Sequence, residues 1–115
     1  MEMPENLKRV ETMSWASLKA LAIKELATIP AKERIVFEAR FNMKWPQFEQ
    51  FILSLASAKS TFKEISLVHE RVSTLGDFSG KDIIDLTMMS TSNIAEYQSP
   101  KIEYYLICRA LHTRN

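Results

Sequence analysis

Two pairs of side chains have the residue types of a catalytic site. Cys108 and His112 are four residues apart, and a thiol in contact with an imidazole forms a reactive cysteine nucleophile. His69 precedes Glu70, and a carboxylate can orient an imidazole as a general base. Both pairs lie in segments that we predict as strands, where residues four apart are separated by about 13 Å and adjacent residues point to opposite faces.

We therefore predict that Cys108 is a buried apolar residue and that His69 and His112 are polar residues without a catalytic role. Asp77 lies between the two glycines of the chain and Asp82 follows them, but this loop lacks the dense alternating acids of a calcium loop. Two histidines and one cysteine cannot supply the ligand spacing of a zinc site. The sequence also lacks the phosphate-loop, serine-hydrolase and zincin motifs. The prediction is a protein that is not an enzyme and uses no metal or cofactor.

Composition indicates one globular domain without a strong electrostatic preference. The 115 residues include 15 basic and 14 acidic side chains, and the resulting net charge of +1 does not favour binding to nucleic acid or to an anionic membrane. A single cysteine excludes an internal disulfide and indicates a reducing compartment. The N-terminus has no apolar signal region, and the longest apolar stretch, 51–58, is too short to span a bilayer. We expect a cytoplasmic protein without membrane insertion.

The segment 33–43 has the clearest periodicity in the chain. Its apolar residues occupy every second position, which is typical of a strand with one buried face; they are Ile35, Phe37, Ala39, Phe41 and Met43. Pro46 then begins a predicted helix over 46–58, because proline is well tolerated in a first helical turn.

A helix is also predicted upstream, over 14–28. Ser14 is a good N-cap, and Pro30 ends the helix because it forces the preceding residue out of the helical region. Residues 1–13 are expected to be either an N-terminal arm or a backward extension of this helix. We expect residues 14–115 to form a single compact domain.

The second half of the chain is harder to interpret. Residues 60–75 suit a strand, which a βαβ unit requires here, or a helix with a Thr61–Glu64 capping box and a stripe through Ile65, Val68 and Val72. We favour the strand, and we predict further strands over 82–91 and 101–113. The order α-β-α-β-β-β predicts an α+β fold, a small ferredoxin-like (split βαβ) sheet with helices on one face and an extra N-terminal helix. The alternative is a mostly α-helical bundle with a C-terminal strand pair.

The function that this arrangement favours is a non-enzymatic protein-binding module that acts as an accessory, adaptor or inhibitor factor. Its last predicted strand is apolar on both faces, so one face needs a cover other than the core. The predicted interface residues are Tyr105, Ile107, Arg109, Leu111 and Met89. An exposed edge of this strand would also allow a homodimer.

Two alternative functions follow from other features. Arg34, Arg40 and Lys44 lie on or near the polar face of the first predicted strand, where they could bind single-stranded nucleic acid, although Glu38 interrupts the set. The strand–helix–strand–strand order is also similar to pieces of assembly proteins of type IV pili and type II secretion systems. Those proteins carry a transmembrane helix and a coiled coil that this chain lacks, so the likeness implies at most a soluble assembly component.

Overall fold

The chain is helical throughout the part that the structure describes. The structure is a computed structural model that describes residues 5–73 and 99–113, with the side chains of the second range described up to residue 111. Within these ranges lie six helices: α1 (Glu5–Thr12), α2 (Trp15–Ala27), α3 (Ala31–Phe41), α4 (Trp45–Ser54), α5 (Phe62–Ser73) and α6 (Pro100–Thr113). No strand occurs in them, so the prediction of an α+β ferredoxin-like sheet is wrong.

The predicted first strand is helix α3, and its alternating pattern has a simple geometric explanation. Successive residues of an α-helix are rotated by about 100°, so positions 37 and 41 lie on one side and positions 35 and 39 on the opposite side. Phe37 and Phe41 are buried, whereas Ile35 and Ala39 are exposed. The period of two therefore arises from two separate apolar rows on opposite sides of one helix.

A tight turn joins α3 to α4 in a helical hairpin. Asn42 caps α3 in the left-handed conformation (φ 52°, ψ 47°), which asparagine tolerates better than most residues. The Gln47 side chain accepts a hydrogen bond from the Lys44 N–H at 3.1 Å, and the Glu38 carboxylate accepts one from the Trp45 N–H at 2.7 Å. These bonds satisfy N–H groups at the start of α4 that no intrahelical carbonyl can reach.

The prediction for α2 is confirmed. The Ser14 hydroxyl accepts a hydrogen bond from the Ser17 N–H at 3.1 Å, and the helix ends at Ala27, before Pro30. Upstream, residues 5–12 form the separate helix α1, whose Leu7 and Val10 are buried against the rest of the molecule.

In the described part of the segment 60–75 the helical alternative is correct, over Phe62–Ser73, and the favoured strand is wrong. The Thr61 hydroxyl accepts a hydrogen bond from the Glu64 N–H at 3.2 Å, which is one of the two bonds of a capping box. Ile65, Val68 and Val72 are buried along one side of α5. Three- and four-residue spacing therefore describes this segment better than alternation.

The predicted final strand over 101–113 is helix α6, so the strand pair of the helical alternative is also wrong. A segment that is apolar on both faces of a strand is equally suited to a helix that is covered on most sides. Helix α6 packs against α5, α2 and α1. Its buried residues are Ile102, Glu103, Tyr104, Leu106, Ile107, Cys108, Ala110 and Leu111. The segment predicted as a strand over 82–91 lies outside the described residues.

The core joins the helices around α6 to an aromatic cluster in the hairpin. In the hairpin, Phe37 and Phe48 stack with ring centroids 5.3 Å apart, and Trp45 lies 5.3 Å from Phe48. The buried Tyr104 hydroxyl donates a hydrogen bond to the Ile52 carbonyl at 2.9 Å, which connects α6 to α4. The hairpin is thus fixed to the rest of the molecule mainly through α4. Arg71 of α5 also contacts α3, because it donates to the Arg40 carbonyl at 2.7 Å and its guanidinium lies 4.5 Å from the centroid of the Phe41 ring.

Candidate functional site

Cys108 and His112 lie on one helix, not on a strand. Positions four apart in a helix are neighbours, so the predicted separation of about 13 Å is wrong. Cys108 is fully buried, and burial raises the pKa of its thiol to about 12. The thiol is therefore protonated at neutral pH and cannot act as a nucleophile in this state. The side chain of His112 lies outside the described residues.

The raised pKa of Cys108 predicts a loss of stability at alkaline pH. Between the ordinary thiol pKa of 9.0 and the folded value of about 12, the unfolded chain has lost the thiol proton and the folded chain retains it. The free energy of unfolding should therefore fall as pH rises, by up to about 1.4 kcal/mol per pH unit. Urea titrations at several pH values from 8 to 11 would measure this slope.

Cys108→Ala is the control for the alkaline prediction. Just above pH 9 the variant should have a shallower slope of unfolding free energy against pH than the parent, because it has no thiol to ionise. Burial also raises the pKa of Tyr104, but the tyrosine of the unfolded chain ionises only at a higher pH than the thiol, so it contributes little in this range. Equal slopes in the two proteins would contradict the prediction, as would rapid labelling of the native thiol at pH 8.

The carboxylate beside His69 is Glu103, and the sequence reasoning missed it. The His69 Nδ1 atom lies 2.9 Å from a Glu103 carboxylate oxygen, and the pair connects α5 to α6. Glu103 is only 3% exposed. The sequence does show a charged residue between the apolar residues Ile102 and Tyr104. On a strand this residue would face solvent, and only in a helix that is covered on most sides does it indicate a buried charge that needs a partner. Among the described residues, no group of three histidine, cysteine or acidic side chains could hold a metal ion.

The predicted interface residues do not form a common exposed surface in this fold. Ile107 and Leu111 are 0% and 2% exposed and belong to the core around α6. Tyr105 and Arg109 are half-buried at its margin, and Met89 lies outside the described residues. The set was derived from strand geometry, in which these residues share or flank one face, and a helix distributes them differently.

The three basic residues predicted for nucleic-acid binding also have different roles. Arg34 is half-buried: its Nε donates to the Ile29 carbonyl at 3.0 Å, and its guanidinium lies 5.1 Å from the centroid of the Trp45 ring. Arg40 and Lys44, by contrast, are exposed near the end of α3. The fold therefore leaves Arg40 and Lys44 at the surface, whereas Arg34 contacts the Ile29 carbonyl before α3 and the Trp45 ring at the start of α4.

The strongest candidate for a functional surface is a groove beside the outer apolar row of α3. This row consists of Ile35 and Ala39, followed by Met43 just after the helix, at intervals of four residues. We call the depression that they line the α3–α4 groove. Its lining residues are Ile35, Glu38, Ala39, Asn42, Met43, Lys44 and Gln47. A second depression shares Met43 and Gln47 with it and lies along α4 beside Gln50, Phe51 and Ser54.

The arrangement of its apolar residues, and not the exposure of any one of them, distinguishes the groove from ordinary surface. Ile35 is 65% exposed, which is similar to Ile23 at 51% and Leu67 at 55%. Single exposed apolar residues are common on soluble proteins, but a row of them beside a depression is typical of a binding site. The four-residue spacing of this row is visible in the sequence. The sequence does not show that Ile35 and Ala39 are exposed, because the same residues also fit the buried face of a strand.

The charges around the groove have one predominant sign. Over residues 31–54, the exposed charged side chains are Lys32, Arg40 and Lys44, all of them basic. The carboxylates of the same segment are half-buried, and Glu38, which lines the groove, accepts a hydrogen bond from the Trp45 N–H. A molecule entering the groove therefore meets apolar groups and the half-buried Glu38 along the lining, and exposed basic side chains at the margin.

No protein-family model, curated protein sequence or solved structure matches the chain. The helices that the structure describes include none that is both long and apolar enough to cross a membrane.

Proposed function

We propose that this protein is a non-enzymatic protein-binding module that binds its partner through the α3–α4 groove. The observation that carries the proposal is the outer row of α3, in which the exposed Ile35 and Ala39 line a surface depression together with Met43, a half-buried residue that also packs against the core. Burial of such a row by a partner would remove apolar area from water and favour binding.

The position of α3 supports this proposal. Among the described helices, α3 packs mainly against α4, and Arg71 of α5 contacts it at Arg40 and Phe41. Its inner row, Phe37 and Phe41, attaches it to the aromatic cluster. Ile35 and Ala39 remain exposed on the other side of the helix, and a contact with another molecule explains why apolar residues occupy these two positions.

Site-specific photo-crosslinking tests the proposal. A benzophenone amino acid at position 35 should crosslink to one defined protein in the native cell, whereas the same group at position 67 should not. Leu67 is the matched control because it is similarly exposed on a helix outside the groove. The purified partner should then bind the parent protein at least about tenfold more tightly than Ile35→Ser, with Leu67→Ser unaffected. Equal crosslinking at both positions would refute the proposal.

Single-stranded nucleic acid is the second candidate ligand, and the exposed basic residues Arg40 and Lys44 are the observation that favours it. If nucleic acid is the ligand, affinity should fall steeply with salt, because each neutralised phosphate releases counterions. Titration of a labelled oligonucleotide at low and high salt would decide. Absence of binding even at low salt would remove this candidate.

Two further expectations concern assembly and cellular location. The analogy with pilus and secretion assembly proteins depended on a strand order that the described residues do not have, so it no longer supports a function. A cytoplasmic location is proposed on the basis of the single cysteine, Cys108, which is a free thiol in the core.

A further inference from the structure

We infer that the occupant of the α3–α4 groove is an acidic amphipathic helix of a partner protein. This inference rests on the proposed function and specifies the chemistry of the partner. It combines two observations: the apolar row along the groove and the basic side chains at its margin.

The spacing of the row suits a helical occupant. Ile35 and Ala39 are one helical turn apart on α3, or about 6 Å at 1.5 Å per residue, and Met43 follows just after the turn at Asn42. A helix presents apolar side chains at positions i, i+4 and i+7, which is how amphipathic helices bind in apolar grooves. The neighbouring depression beside Phe51, which shares Met43 and Gln47 with the groove, offers such a helix further contacts along α4.

Charge selects an acidic partner. Lys44 lines the groove at one end, and Lys32 lies one helical turn before Ile35 at the other. Arg40 adds a further exposed positive charge beside Ala39. Carboxylates flanking the apolar side chains of the occupant would meet these cations, whereas a basic occupant would be repelled.

The same charges argue against the other two occupants. A second copy of this chain would bring its own basic side chains beside those of the first, which disfavours pairing through this groove. Single-stranded nucleic acid usually stacks its bases on exposed aromatic rings. Here Phe37, Phe41, Trp45 and Phe48 are buried and Phe51 is half-buried, and the apolar residues that line the groove itself are the aliphatic Ile35, Ala39 and Met43.

A labelled model peptide provides the test with the full chain. The probe is about 18 residues long, rich in glutamate and alanine, with leucines at positions i, i+4 and i+7. Binding is measured by fluorescence anisotropy at low salt. The matched peptides replace either the three leucines with alanine or the glutamates with lysine, and each should bind at least about tenfold more weakly.

Four variants of the protein locate the binding. Ile35→Ser removes an apolar contact and Lys44→Glu reverses a charge at the groove, and each should weaken the acidic peptide at least about tenfold. Leu67→Ser and Lys63→Glu change similarly exposed residues on α5 and should leave the affinity unchanged. Circular dichroism checks that all four variants keep the helical content of the parent.

Two peptide results would overturn the inference: failure of the acidic peptide to bind, or equal binding of the basic peptide. Two other results would also overturn it: nucleic-acid binding that Lys44→Glu abolishes and Ile35→Ser does not, or a dimer in light scattering that Ile35→Ser dissociates.

The crosslinking experiment distinguishes failure of the acidic-helix inference from failure of the proposed protein-binding function. A defined partner captured at position 35 whose contacting segment is not acidic leaves the protein-binding function in place. Absence of a defined partner there removes both.

Discussion

Ile107→Asp should unfold the protein. Ile107 is 0% exposed in α6, which contacts three other helices. A carboxylate placed there loses its hydration without gaining a partner, and we expect a cost of at least about 4 kcal/mol. That is a large fraction of the roughly 5–15 kcal/mol that stabilises an ordinary domain. Far-UV circular dichroism and urea titration would measure the loss.

Ile35→Asp is the matched control for this prediction. It makes the same substitution within a helix, so the cost of helix propensity is similar, but Ile35 is 65% exposed. The free energy of unfolding should change by at most about 1 kcal/mol. A folded Ile107→Asp protein would contradict the burial of this residue and would restore the original prediction that Ile107 is an interface residue.

His69→Leu should destabilise the fold by about 2–3 kcal/mol. The substitution leaves the Glu103 carboxylate buried without its imidazole partner, and broken buried pairs cost about 3–5 kcal/mol. The lower value is expected because the His69 side chain is 18% exposed, so water can reach part of the site. Urea unfolding followed by circular dichroism gives the difference between variant and parent.

The double variant His69→Leu with Glu103→Leu distinguishes the pair from simple loss of packing. Replacing both members removes the buried charge, and apolar replacement of a whole buried pair is often close to neutral. The double variant should therefore be more stable than His69→Leu alone. Additive destabilisation by the two substitutions would show that His69 and Glu103 are not energetically coupled.

The sequence contains enough local information to locate several helix starts. Ser14, Thr61 and Pro46 act within one turn of their own position, through a hydrogen bond or a fixed backbone angle. Such signals do not depend on the rest of the fold. For the same reason the helix α2 is predicted within one or two residues, and the stripe of α5 is correct in the helical alternative.

Periodicity alone failed for α3 and α6. In α3, two apolar rows on opposite sides produce the alternation of a strand, and only the tertiary structure shows that Phe37 and Phe41 face inward while Ile35 faces outward. In α6, β-branched and aromatic residues suggested a strand, but burial against several helices overrides this local preference. The candidate groove was therefore hidden by the same ambiguity that gave the wrong fold class.

By itself, the sequence determined a chain with near-balanced charge and one cysteine, the capped starts of its helices, and the four-residue spacing of Ile35, Ala39 and Met43. The tertiary structure alone decided which apolar row is buried, placed the outer row beside exposed basic residues, and paired His69 with Glu103 across 34 positions. The physical reason is the range of the interactions. Caps and propensities act between neighbours in the chain, whereas burial and ion pairing depend on residues that only the folded chain brings together.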